Sequence, residues 1–321
     1  MQTHSRNILL DILKVISSLL VIAFHCGFLY DYYPFINYIT LNGILRFVIP
    51  FFFCVNGFFL YTVFQNGTFK LWRRRIAILY MIWMLFFGYF WIAPNYNNPI
   101  KLLLNIIFGF NHLWYVASFL VGGILLYMIR KYSNKTLLIS MFILYLIGYT
   151  IQSLGDLNII SKPEILVKLV NYPPSHRNFL FFDLPFLTLG YIIRRSNFHL
   201  KLKKQQTLSL IIISFVLLTI ESILNYYYYI DRTFSIISIS CFLAGPVLLL
   251  SAFSFKIDSK VNSKLLSNYS IALYLIHPLI IVLITYFVKL ESISLTLVTI
   301  LLSIISSFLL IQLNKKIKYL F

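Results

Sequence analysis

The chain has 321 residues, of which 60% are hydrophobic and only 11% charged, and it carries a formal net charge of +18. Soluble domains average about 45–50% apolar and about 25% charged residues. This is therefore the composition of an integral membrane protein, and the positive charge belongs to its topology rather than to nucleic acid. The three cysteines, Cys26, Cys54 and Cys241, are scattered through apolar runs and support neither a disulfide framework nor a zinc site.

Crossing ~30 Å of hydrocarbon takes about 20 apolar residues. Ten runs approach that length: 8–30, 42–65, 76–93, 112–130, 136–152, 179–194, 206–225, 233–255, 268–288 and 292–313. They predict an all-α, polytopic membrane protein of about ten transmembrane helices, a single domain over residues 1–321 with no soluble domain. The first run lacks a small-residue cleavage site before Tyr30-Asp31-Tyr32-Tyr33-Pro34 and is read as a retained helix, not a signal peptide. Breakers mark the connectors, among them Pro34, Pro94, Pro99, Pro173 and Pro174. Residues 100–111 are apolar but too short to span, which predicts an interfacial or re-entrant segment. The long connector 153–178 is the natural place for a lid or an extracytoplasmic substrate contact.

Orientation follows from the bases. With the N-terminus inside, the inner connectors hold Arg6; Lys70 and Arg73 to Arg75; Arg130, Lys131 and Lys135; Arg194, Arg195, Lys201, Lys203 and Lys204; Lys256, Lys260 and Lys264; and Lys315, Lys316 and Lys318. The outer side holds Lys101, Lys162, Lys168, Arg177, Arg232 and Lys289, while Lys14 and Arg46 lie inside spans. This obeys the positive-inside rule and places both termini in the cytoplasm.

Ionisable residues inside spans mark functional sites by default. Lys14 and His25 are eleven residues apart, close to three helical turns, so they share a face about 16 Å long. Asp11 and Ser18 fall near the same stripe. The competing reading is structural: Asp11 paired with Lys14 or another helix, and a histidine hydrogen-bonded in the bundle. Arg46 enters the second run at the depth of His25, and a cation beside an imidazole can activate an oxygen nucleophile or stabilise an oxyanion. "NHLWYV" carries His112 and Trp114, which suit an interfacial belt as well as a site. In "IALYLIHPLI", Pro278 frees the Tyr274 carbonyl beside His277, as in a helix that lines a cavity. Glu221 and Asp183 suit interhelical hydrogen bonding. Arg73, Arg74 and Arg75 mark topology first, and can also grip a phosphorylated ligand bidentately. No ligand set suggests a metal.

Four stretches together resemble the bacterial integral-membrane acyltransferase-3 family over about residues 6–313: Asp11 with Lys14 and His25, "RFVIPFFFCVNGFFL", "HLWYVASFLV" and "SNYSIALYLIHPLI". The chain departs from the family pattern in three places. Asn56 stands where serine is usual, Lys14 where arginine is commoner, and the cytoplasmic arginines are contiguous. The resemblance implies an O-acyltransferase, with no tightly bound cofactor and acyl-CoA, most simply acetyl-CoA, as co-substrate. It implies a glycan or lipid-linked saccharide acceptor on the far side of the bilayer, and is compatible with a homo-oligomer. On this reading Lys14 and Arg73 to Arg75 hold the CoA phosphates, and the pantetheine arm follows the stripe of the first helix. His25 is then the general base, with Arg46 and Asp11 as its catalytic partners. His112, Trp114, Tyr274, His277 and Glu221 line the substrate path.

Two rivals come from other classes. Buried charges and a helix broken at Pro278 would suit a small-solute transporter of amino-acid type, although no inverted repeat is visible. A scaffold subunit with a dead site is disfavoured because Asp11, Lys14, His25 and Arg46 are all present.

Overall fold

The computed structural model describes residues 6–229, 237–255, 257, 261–317 and 319–321. Arg232, Lys256, Lys260 and Lys318, and the start of the run expected at 233–255, lie outside the described residues. Every regular element among the described residues is helical. The first half holds α1 (Ile8–His25), α2 (Pro34–Tyr38), a π-helical turn (Ile39–Gly43), a 3-10 turn (Ile44–Phe47), α3 (Val48–Gln65), α4 (Phe69–Phe86), α5 (Gly88–Ile92), α6 (Pro99–Phe108) and α7 (Trp114–Ile129). There follow α8 (Asn134–Asp156), α9 (Glu164–Val170), a second π-helical turn (Phe179–Asp183), α10 (Leu184–Arg195), α11 (Lys204–Tyr228), α12 (Cys241–Ser254), α13 (Ser263–Phe287) and α14 (Ser292–Lys316).

Two helices, α11 and α14, bury small polar residues and turn large apolar ones outward. On α14, Ser292, Thr296, Thr299, Ser303 and Ser307 are buried while Leu297, Leu301, Ile305 and Leu309 are exposed. On α11, Thr207, Ser214, Ser222 and Asn225 are buried and Leu208, Ile212, Val216 and Leu224 are exposed. Apolar side chains face outward where lipid is the solvent, and small hydroxyl residues face in because they let helices approach closely. Seven helical stretches among the described residues are long and apolar enough to cross a membrane, and the protein is multi-pass.

A further pair of helices, Phe69–Phe86 and Gly88–Asn95, is long and apolar enough for a span only when taken together and turns by 71° at its break, the geometry of a broken span or of a re-entrant loop. The expected straight run 76–93 is thus two pieces. The run expected at 179–194 is helical throughout, the second π-helical turn (Phe179–Asp183) leading directly into α10 (Leu184–Arg195), whereas the described part of the run expected at 233–255 holds only the 14-residue α12. Conversely, α13 continues through Pro278 from Ser263 to Phe287, so the expected break is not in this helix. The first helix stops at His25 rather than near residue 30, because Gly27 and Leu29 take left-handed φ angles of 66° and 68°. The second helical stretch starts at Pro34, not at residue 42, since its proline suits a first turn. The segment 100–111 holds all but the first residue of the ten-residue α6 (Pro99–Phe108), in which no residue is fully buried.

The chain divides into two compact units. One comprises Met1–Phe52, Asn197–Tyr228 and Ser240–Phe321; the other Phe53–Ser196 and Tyr229–Ile239. In the first unit α1 and α14 each lie along α13, and α11 along α12. The Thr207 and Ser254 hydroxyls meet at 2.7 Å between α11 and α12. In the second unit α10 packs on α7 and α8 and crosses α3 at backbone contact. A Cβ on Gly57 would overlap the Leu187 carbonyl, and one on Gly190 the Cys54 carbonyl, so this crossing needs glycine on both helices.

Candidate functional site

The polar stripe of α1 meets a matching stripe on α13. Asp11 meets Ser263, Lys14 meets Ser267, Ser18 meets Ser270 and His25 meets His277. Partner numbers rise together, so the two helices run parallel with nearly constant register. Lys14 Nζ lies 2.5 Å from Asp11 Oδ1 and donates to Ser267 Oγ at 2.8 Å. Asp11 Oδ2 accepts from the Ser263 hydroxyl and lies 3.5 Å from Arg6 Nε. The Ser18 and Ser270 hydroxyls are 2.9 Å apart, and Ser270 Oγ is 3.1 Å from the Lys14 carbonyl. From Asp11 to Ser18 the stripe is therefore a packed seam. The space that the sequence offered to a pantetheine arm is filled here by α13, because serines at 263, 267 and 270 fit hydroxyls against each polar group of α1.

At the upper end of the seam the arrangement changes. His25, the last residue of α1, is exposed, whereas His277 is wholly buried. Their ring centroids are 5.2 Å apart with planes inclined at 43°. Tyr274 sits one turn below, its ring centroid 6.3 Å from that of His277. His277 Nδ1 donates to the Leu273 carbonyl at 3.0 Å. Arg46 reaches the same end of α1 from the 3-10 turn. It is 8% exposed, donates to Asn42 Oδ1 one turn back, and lies over the Phe24 ring at 4.7 Å. Burial removes the option of an arginine snorkelling to headgroups. Glu221 Oε2 accepts from the Ser240 amide at 2.9 Å and from the Ser240 hydroxyl at 2.6 Å, so it ties α11 to the start of α12.

The remaining predicted residues lie in the second unit. Arg73, Arg74 and Arg75 occupy the second turn of α4 and are exposed, while the neighbouring Trp72 packs edge-on against Phe119 of α7. His112 is buried with its ring against Phe87 at 5.1 Å. Trp114 is covered by the Arg177 guanidinium at 4.8 Å. Tyr115 follows it, and its hydroxyl accepts from Asn56 Nδ2 at 2.7 Å. The amide that stands where serine was expected therefore has a task of its own. Asp183 ends the second π-helical turn, fully buried and with no hydrogen-bond partner for either carboxyl oxygen among the described residues, within electrostatic reach of Arg177. Beside it in sequence, burial and the Arg177 charge lower the pKa of His176 to about 4.

Sequence reasoning found the polar stripe on α1 but missed its partner. The signal was present: Ser263, Ser267, Ser270, Tyr274 and His277 recur at helical spacing, as Asp11, Lys14, Ser18 and His25 do. Arg177, counted only as an outer base, is in fact a cover for Trp114. No group of three or more His, Cys, Asp or Glu able to hold a metal occurs among the described residues.

A family described as an acyltransferase domain, Acyl_transf_3, matches residues 7–312. Among curated proteins, an amino-acid racemase of Enterococcus faecalis is 26% identical over 336 aligned residues, covering 96% of this chain and 46% of its own length. A serine/alanine racemase of Enterococcus gallinarum is 24% identical over 286 aligned residues, covering 84% of this chain and 40% of its own. The chain thus spans less than half the length of these curated relatives. No solved structure matches it significantly.

Proposed function

We propose that this chain, which belongs to the acyltransferase-3 family, moves an acyl group, in the simplest case acetyl, from cytoplasmic acyl-CoA to a hydroxyl of an extracytoplasmic or lipid-linked glycan. The membrane is then the bacterial cytoplasmic membrane, with both termini inside as the basic connectors require. The observation that carries the reading is the end of α1: an exposed His25, a buried imidazole against it, and the buried Arg46 one ring away.

In this reading His25 takes the proton from the acceptor hydroxyl as its oxygen attacks the thioester carbonyl. Arg46 faces the oxyanion that develops. The C–S bond breaks as the C–O bond is completed, and the proton passes from His25 to the departing CoA sulfur. Arg73, Arg74 and Arg75 are exposed and clustered near a helix N-terminus, which suits the phosphates of CoA. Asp11 and Lys14 spend their hydrogen bonds within the seam. Their part is to hold α1 and α13 in register, so that His25 and His277 meet.

The test is acyl transfer from labelled acyl-CoA in proteoliposomes. Removing a positioned general base costs about 10²–10⁴-fold, so His25→Ala should lose that much while still inserting and binding donor. Gln at Arg73, Arg74 and Arg75 together should weaken donor binding. A His25→Ala protein that inserts and transfers near the parent rate refutes the reading. A second reading is the transporter of small solutes of amino-acid type that the sequence also allows; the curated relatives, named as racemases of amino acids, point to that class of small molecule. Uptake of labelled serine or alanine without acyl transfer would establish it.

A further inference from the structure

The exposed histidine at the end of α1 has a buried companion whose chemistry the local geometry constrains. His277 is 0% exposed, and its Nδ1 lies 3.0 Å from the Leu273 carbonyl oxygen. A carbonyl can only accept, so Nδ1 carries the hydrogen. In the neutral ring the lone pair is then on Nε2. Neither ring is placed by chance. Below them, Lys14 with Ser267 and Ser18 with Ser270 fix the register of α13 against α1. The groups around the pair are Tyr274 on α13, Arg46 across the Phe24 ring, and Cys26 on α1, whose thiol meets Thr296 and Thr299 of α14.

Ring centroids of two hydrogen-bonded imidazoles lie about 5 Å apart, since an N···N bond of about 3 Å joins nitrogens each roughly 1 Å from its ring centre. The observed 5.2 Å is that spacing.

We propose that His277 is a positioning residue for His25: its Nε2 accepts the N–H of His25, so that the other nitrogen of His25 presents its lone pair to the acceptor hydroxyl. A base held by a third group is the general logic of activated-nucleophile sites. Here a neutral imidazole takes the orienting place and also hydrogen-bonds the imidazolium that forms as His25 gains the proton. The positive charge of Arg46 nearby makes a second neutral ring acceptable where a second cation would not be. The inference rests on His25 being the base, and goes beyond it in giving the buried ring a role.

A hydrogen bond to a charged group is worth roughly 10- to 100-fold in rate. His277→Met keeps an apolar side chain of similar bulk without an acceptor, whereas His277→Gln retains an amide oxygen that can accept from His25. The expectation for His277→Met is a 10- to 100-fold lower kcat, with KM for acyl-CoA within about twofold, and a substantial recovery in His277→Gln. A merely structural role would move yield and KM but would not separate the two variants. A His277→Met protein with the parent's kcat overturns the inference; if His25→Ala is dead in the same assay, the acyl-transfer reading itself survives. An active His25→Ala protein overturns both. The parent protein supplies a second measurement that needs no variant to fold. ¹⁵N spectra of histidine-labelled protein should show His277 as the Nδ1–H tautomer and His25 as a single tautomer. An Nε2–H tautomer at His277 would overturn the assignment.

Discussion

Asp11→Asn and Lys14→Met, alone and together, decide whether the polar stripe of α1 is a structural seam or a ligand contact. The Asp11 side chain is 5% exposed and that of Lys14 14%, with 2.5 Å between their charged atoms. Removing one partner of a buried pair costs about 3–5 kcal/mol, chiefly because the other charge is left uncompensated. Lys14 retains Ser267 and a little solvent, so Asp11→Asn should fall at the lower end, near 3 kcal/mol. Lys14→Met leaves Asp11 with the Ser263 hydroxyl and with Arg6, whose side chain is 49% exposed, and should cost less, about 1–2 kcal/mol. In the double variant neither charge is stranded. It should be no less stable than Asp11→Asn, a coupling of about 1–3 kcal/mol. Denaturant or thermal unfolding of the purified protein in detergent, followed by tryptophan fluorescence, measures all four corners of the cycle. Losses that simply add would refute the seam. So would a Lys14→Met protein of parental stability that binds acyl-CoA more weakly, which would return Lys14 to the donor site.

Two further predictions follow from the second unit. Gly190→Val should sharply reduce the yield of folded protein, because its Cβ would overlap the Cys54 carbonyl; overpacking costs about 1–3 kcal/mol even where side chains alone must yield. Gly88→Ala, whose Cβ would meet Ile92 Cδ1 at 3.6 Å, is the tolerated control. His176 should make stability fall with acid: its pKa is lowered from 6.5 to about 4 by burial and then by the Arg177 charge. Above pH ~6.5 the ring is neutral in both states and its contribution is complete. Between that pH and about 4 the unfolded chain takes up a proton that the folded one refuses, so up to about 3 kcal/mol is lost. His176→Phe should flatten that part of the stability profile, and an unchanged acid slope between pH 7 and pH 4.5 would sink the assignment.

Much of this protein is legible in one dimension because lipid is a simple solvent. Apolar runs separated by basic connectors are enough to read a multi-pass helical membrane protein, since a backbone in hydrocarbon must satisfy its own hydrogen bonds and a charge there is costly. Spacing alone likewise picked out Asp11, Lys14 and His25 as one face of one helix, because 3.6 residues make a turn whatever surrounds it. What that face touches is a different matter. It depends on α13 coming from the far end of the chain, in parallel and in register, a pairing that periodicity within α1 does not contain. Packing therefore closed the stripe below Ser18 and left His25 exposed above it. Helix ends were misjudged for a related reason: the left-handed backbone at Gly27 and Leu29 and the bend after Phe86 are decided by how connectors close, not by hydropathy. The same holds for Gly57 and Gly190, unremarkable in an apolar run, whose missing side chains matter only because two backbones cross there. A sequence states which groups can interact; the tertiary structure chooses which of them do, because each polar group in lipid must find its partner on whatever helix lies beside it.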